Sequence, residues 1–200
     1  MATFWDRVAG LYDTIELTNG KVYREMCAIT RRLVPNGAKV LDCAAGTGEL
    51  SFAAAVRAES VLCTDISENM LKTAKKKAAA RGKDNVSFAE RNIFDLQEAD
   101  ETYDIVIAGN VLHLIDNPQN AVRELYRVLK KGGKLLLPTF LTKGNGETML
   151  KIYAKLGYNA SASYSLEEYK QMLKSCGVGR LRTKVIDGLI PCCYAVIEKV

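Results

Sequence analysis

Between Lys39 and Asp65 the chain alternates in a way that few folds accommodate. An apolar run stops at Asp42, and the small-residue stretch Ala44-Ala45-Gly46-Thr47-Gly48 follows. A helix-compatible segment then leads into a second apolar run that ends at Asp65. Strand, tight turn, helix and strand in so short a span make a crossover unit, whose two parallel strands belong to a sheet covered by helices. Ligands of such sheets bind beyond the carboxyl ends of the strands, so the turn is also the first place to seek a site.

The alternation continues to the end of the chain. Strands are expected at Lys39–Asp42, Ser60–Asp65, Val86–Arg91, Tyr103–Gly109, Gly133–Phe140, Leu181–Asp187 and Cys192–Glu198. Helices are expected at Glu49–Ala58, Ser67–Arg81, Pro118–Leu129, Glu147–Leu156 and Ser165–Cys176. Ser67 is placed to cap one helix, Gly82 to follow its end, and Ser165-Leu166-Glu167-Glu168 reads as a capping box. Gly132-Gly133 is read as separating a helix that ends near Lys130 from the next strand. Only Gly188-Leu189-Ile190-Pro191 joins the last two strands, too little for a crossover, which makes that pair an antiparallel hairpin. The expected architecture is α/β, a mostly parallel seven-stranded sheet with an antiparallel carboxyl-terminal hairpin and helices on both faces. Two hundred residues suit one domain, 1–200, in which 1–35 form helices over a sheet edge and 36–200 form the core.

Charge and cysteine content narrow the classes of function. The net charge of +5 is mild, and its densest stretch, Lys72 to Lys83, reads as a solvated helix face without the interleaved aromatics of a nucleic-acid site. No stable nucleic-acid binding is expected. Six cysteines and one histidine show no metal-ligand spacing, so no metal is expected, and burial is the expected state of Cys192 and Cys193. The amino terminus lacks a signal-peptide pattern, and the run from Ile105 to Ile115 is broken by Asn110 and His113 and too short to span a bilayer. A cytoplasmic location without a membrane span is expected; the oligomeric state is open.

Four polar residues, Asp42, Asp65, Asn92 and Asn110, fall at or just after the ends of four expected strands. Asp65 is the acidic residue expected to accept from ribose hydroxyls. A dinucleotide fingerprint fails at its third glycine, which is Ser51 in one alignment and Glu49 in the other. Asp42 and Glu49 would both repel a pyrophosphate, whereas a ligand with an ammonium or sulfonium group suits that setting.

The chain resembles the class I S-adenosylmethionine-dependent methyltransferases. The resemblance rests on Val40-Leu41-Asp42-Cys43-Ala44-Ala45-Gly46-Thr47-Gly48, Thr64-Asp65-Ile66-Ser67-Glu68-Asn69-Met70-Leu71 and Tyr103 to His113. Leu125 to Gly133 is similar to the family's approach to its fifth strand. Within the family it looks most like the small enzymes related to ubiquinone/menaquinone-biosynthesis methyltransferases, whose amino-terminal region carries a pair like Tyr12-Asp13. The resemblance implies a Rossmann-like fold, with S-adenosyl-L-methionine as methyl donor and S-adenosyl-L-homocysteine as product. Asp42 would orient the loop near the methionine ammonium, and Ala44, Gly46, Thr47 and Gly48 would lie beside the methionine moiety. Asp65 would hold the ribose, and Ile66 and Met70 would pack on adenine. Asn92 stands where the family usually has Asp beside the adenine amino group, Ile93 would form an apolar wall, and Asn110 would sit near the transferring methyl. Ala44 replaces the first glycine of the family loop.

Residues 1–35 would then act as a helical lid bearing Trp5 and Tyr12, and 139–165 would contribute to a substrate pocket. His113, the only histidine, is the candidate catalytic base, because an unperturbed pKa of about 6.5 suits proton transfer near neutrality. A packed, hydrogen-bonded residue is the competing role. The expected acceptor is a small molecule, methylated by in-line displacement. The alternatives are an RNA or protein methyltransferase working with a partner, a non-catalytic S-adenosylmethionine-binding subunit, and the nicotinamide-dependent oxidoreductase already weakened above.

Overall fold

The computed structural model describes residues 19–141 and 161–200. Its elements, in chain order, are α1 (Gly20–Leu33), β1 (Lys39–Cys43), α2 (Glu49–Ala54), β2 (Ser60–Asp65), α3 (Glu68–Ala80), β3 (Val86–Glu90) and β4 (Tyr103–Ile107). They continue with α4 (Pro118–Arg127), β5 (Leu129–Phe140), α5 (Leu166–Ser175), β6 (Arg180–Ile186) and β7 (Cys192–Glu198). The strands form one seven-stranded sheet in the order β3-β2-β1-β4-β5-β7-β6. β1 to β5 run parallel, and β7 lies antiparallel to both β5 and β6.

Period-two alternation of side chains explains why both faces are buried. On β1 and β4, Val40, Ile105 and Ile107 point into a core shared with α1, α2 and α3. Leu41 and Val106 point into the opposite core, which α4 and α5 cover. The strand order reverses between β1 and β4, with β2 and β3 on one side and β5 to β7 on the other. A crevice therefore opens above the carboxyl ends of β1 and β4.

Several expected helix signals are present. Ser67 Oγ accepts from the Met70 N–H, and Ser165 with Glu168 forms the capping box at the start of α5. Two expectations need correction. α2 ends at Ala54, four residues before Ala58, because residues 55–57 turn back toward the sheet. The pair Gly132-Gly133 lies inside β5, since α4 already ends at Arg127. There the chain is tied to the residue that follows the last strand, with the Gly132 N–H donating to Lys199 O and the Lys199 N–H to Gly133 O. Helix α1 packs by an edge of the sheet, where Glu25 meets Lys184 of the edge strand β6 at 2.9 Å. Its apolar stripe Val22, Met26 and Ile29 joins the core beside Val40, and Thr30 meets the Tyr194 hydroxyl at 2.6 Å.

All six cysteines are free thiols, and Cys192 and Cys193 are fully buried on opposite faces of β7. No helix among the described residues is long and apolar enough to cross a membrane. Phe4, Trp5, Tyr12, Tyr153, Tyr158 and the helix expected at Glu147–Leu156 lie outside the described residues.

Candidate functional site

The turn after β1 carries unusual backbone geometry. Ala44 has φ of 52°, Gly46 of 56° and Gly48 of 90°. Glycine adopts such angles without penalty, but a non-glycine residue held there stores roughly 1–3 kcal/mol, a strain that clusters at functional sites. Ala44 in the place of a glycine therefore tightens the loop and also strains it.

Asp65 closes over this turn from the end of β2. Its Oδ2 accepts from the Gly46 N–H at 2.9 Å and its Oδ1 from the Ser67 N–H at 2.9 Å. Both oxygens are thus anchored by backbone. The cleft beside them is lined by Ala44, Gly46, Asp65, Ile66, Met70, Asn92, Ile93 and Asn110, together with Arg91, Phe94, Gly109, Val111, Leu114 and Ile115. Eight of the residues expected from the sequence therefore meet around one cleft. Its volume of about 180 Å³ is below the roughly 300–1,000 Å³ of common small-molecule sites, so these walls surround only part of such a ligand.

Asn110 joins three elements. It adopts φ of 54°, its N–H donates to Pro138 O (2.7 Å), and its Oδ1 accepts from the Phe140 N–H (3.1 Å). Its Nδ2 approaches the Tyr23 hydroxyl of α1 at 3.5 Å. Asn92, which is exposed, spends one lone pair of Oδ1 on the Phe94 N–H at 3.0 Å, and the other remains available as an acceptor.

Asp42, Thr47 and Gly48 do not line the cleft. Asp42 lies beneath the loop, 1% exposed, where Oδ2 accepts from Ser51 Oγ at 2.6 Å and Oδ1 has no partner among the described residues. Burial pushes its carboxyl up to about 7, the Ser51 hydrogen bond opposes this, and the nearby Asp65 charge adds to it. Because the folded pKa exceeds the unfolded value of about 3.9, ionisation of Asp42 is a penalty absent at pH 4 and growing as pH rises toward 7. Asp42→Asn removes that penalty and leaves an acceptor for Ser51. The variant should melt higher than the parent at pH 8, and the two should converge near pH 4. Thermal melts at both pH values check this, and a gap independent of pH would contradict it.

Glu49 needs correction as an argument about the ligand. Its carboxylate is held by Lys77 and by Arg81, each at 2.9 Å, and it faces away from the cleft. Burial raises its pKa, but the hydrogen bonds from Arg81 and Lys77 outweigh this and hold it below the usual value. Its charge is spent within the protein and says nothing about a pyrophosphate. Thr47 is likewise turned to Lys77, whose Nζ donates to its hydroxyl at 2.9 Å.

His113 is 1% exposed and not among the residues lining the cleft. Desolvation pushes its imidazole down to about 4, so it is neutral near pH 7, and its carbonyl accepts from the Ala162 N–H. Tyr164, in the 139–165 segment expected to contribute to a substrate pocket, packs on Tyr169 with ring centroids 5.5 Å apart. Residues not anticipated from the sequence include Arg91 and Phe94 of the cleft, Ser51 beneath it, and Tyr23. Only position after β3 could have indicated Arg91 and Phe94, and no local pattern marks Tyr23.

Comparison with known proteins agrees with this geometry. Residues 35–177 match a family model described as a methyltransferase domain. The ubiquinone/menaquinone biosynthesis C-methyltransferase UbiE of Zymomonas mobilis is 30% identical over 92% of this chain and 86% of its own. The demethylmenaquinone methyltransferase of Clavibacter sepedonicus is 33% identical over 71% of this chain, a match that spans only 58% of that enzyme. A Thermotoga maritima methyltransferase structure shares the fold, with a TM-score of 0.75 and 20% identity over 97% of this chain and 96% of that one. A match to the domain model over most of the chain, with Asp65 pinned across the loop at the sheet's reversal point, places it in a family: the chain belongs to the S-adenosylmethionine-dependent methyltransferases.

Proposed function

We propose that this enzyme methylates a small aromatic acceptor of the quinone class at carbon. The observation that carries the reading is the match to the Zymomonas C-methyltransferase along most of both chains. The cleft supports it: Val111, Leu114 and Ile115 provide apolar wall beside Asn110, suited to a flat, largely apolar ring.

S-adenosylmethionine, when bound, supplies an electrophilic methyl group on sulfur. The residues fit it, because Asp65 presents an anchored carboxylate to a diol, Ile66, Met70 and Ile93 present apolar surface to a purine, and the Asp42 carboxylate lies below the loop with one oxygen lacking a partner among the described residues. A nearby cation would favour the ionised form of Asp42. Asn110, fixed by β5 on one side and Tyr23 on the other, orients the reacting end. In the proposed transfer a ring carbon of the reduced, electron-rich hydroquinone forms a bond to the methyl as the methyl–sulfur bond breaks. S-adenosylhomocysteine leaves, and the ring carbon then gives up its proton. That proton passes to solvent in this reading, because His113 is buried outside the cleft lining with its imidazole pushed down to about 4. Alignment and exclusion of water can supply much of the rate, with effective molarities of about 10⁵ M or more in well-oriented systems.

Transfer of labelled methyl from S-adenosylmethionine to a demethylated naphthohydroquinone tests the proposal. The expected product is a labelled, organic-extractable naphthohydroquinone that has gained one methyl per turnover. Labelling of RNA or protein in a cell extract, with no transfer to the hydroquinone, would favour the partner-dependent reading instead.

A further inference from the structure

On the face of the sheet covered by three helices, a groove of about 650 Å³ lies away from the cofactor cleft. That volume falls within the roughly 300–1,000 Å³ of small-molecule sites and exceeds that of the cleft itself. We propose that this groove is a second binding site, for a small amphiphile with an anionic head and an apolar body.

The sign of the head follows from the charges around the groove. Arg24 and Arg31 of α1, Lys77 of α3, Arg81 at the end of α3 and Lys83 beyond it line the groove together, and Glu49 is the one carboxylate among its described lining residues. Glu49 is already committed to Lys77 and Arg81. Arg24, Arg31 and Lys83 have no ion-pair partner among the described residues. Arg24 and Arg31 stand two turns apart on the same side of α1, so their charges point along one wall. Like charges gathered around one concavity repel, and a bound anion relieves that repulsion.

The apolar body follows from the remaining lining. α2 and the turn after it contribute Phe52, Ala53 and Val56, and α1 contributes Cys27 and Ala28. Val56 is 53% exposed there, a large aliphatic side chain left to solvent between cationic walls. A single-stranded nucleic acid fits less well, because it is held by bases stacked on exposed aromatics. Phe52 is 3% exposed with the Arg81 guanidinium over its ring at 5.0 Å, and the Tyr23 ring is turned against Phe140.

The test is calorimetric titration of the full chain with dodecyl phosphate below its micelle concentration, in about 0.15 M salt, where the screening length is about 8 Å. Saturable binding is expected, with dodecyltrimethylammonium failing to bind and inorganic phosphate binding far more weakly. The variant Arg24→Glu/Arg31→Glu/Lys83→Glu should weaken dodecyl phosphate by at least about tenfold while its melting temperature and its affinity for S-adenosylhomocysteine stay unchanged. The proposal is overturned by absence of saturable binding, by equal affinity in the charge-reversed variant, or by inorganic phosphate binding as tightly as dodecyl phosphate. Sedimentation with phosphatidylglycerol vesicles in the absence of binding to the monomeric amphiphile would overturn it too, and would mark a membrane surface as the partner. Since S-adenosylhomocysteine binding is read separately, the methyltransferase reading can stand or fall without this site.

Discussion

Asp65→Ala should weaken binding of S-adenosylhomocysteine by roughly tenfold to a hundredfold, about 1.4–2.7 kcal/mol. The loss has two sources. The proposed ribose contact disappears, and a hydrogen bond to a charged group is worth about 1.5–3 kcal/mol. The Gly46 and Ser67 N–H groups also lose this acceptor, which loosens the loop that borders the cleft. The same change removes a carboxylate whose charge raises the pKa of Asp42, so part of the cost to the fold is offset. Calorimetry on parent and variant, with a melt to confirm that the variant is folded, reads the effect. Unchanged affinity in a folded variant would remove Asp65 from the site.

Gly48→Ala should destabilise the fold through both backbone strain and overpacking. Gly48 has φ of 90°, and a Cβ there would lie 2.7 Å from the tip of the Phe52 ring and 3.3 Å from Ala74 Cβ. Phe52 has little room to move, because it is 3% exposed with Arg81 over its ring. Backbone strain of roughly 1–2 kcal/mol and overpacking of roughly 1–3 kcal/mol give a destabilisation of about 3 kcal/mol. For a chain of this size that is a fall of roughly 6–12 °C in melting temperature. A thermal melt within a degree of the parent would show that the turn relaxes in a way its packing does not suggest.

The sheet was legible in the sequence because its signals are local. Each apolar run ends at a polar residue or a glycine, and the four residues between β6 and β7 permit only a hairpin. The cleft-lining residues were legible for the same reason, since Asp65, Asn92 and Asn110 mark strand ends and the small residues mark the turn. Contacts made by distant parts of the chain were not. Glu49 looks like part of an acidic site until Lys77 and Arg81 arrive from α3, 28 and 32 residues later. Ser51 looks like a defect in a glycine motif, yet it is the group that holds Asp42. Tyr23 reaches Asn110 across 87 residues, and the basic groove draws on three helices, none of which shows it alone. The lysine-rich helix reads as a solvated face, and Lys72 and Lys75 fit that description, but Lys77 and Arg81 turn inward to Glu49.

The central claim is that the cleft between the Gly46 turn and Asn110 holds the methyl donor. Its most direct test is calorimetric titration of the unmodified chain with S-adenosylhomocysteine and, separately, with NAD. Saturable binding of S-adenosylhomocysteine at one site per chain, with no heat from NAD, is the predicted result. Tight binding of NAD with no response to S-adenosylhomocysteine would contradict it.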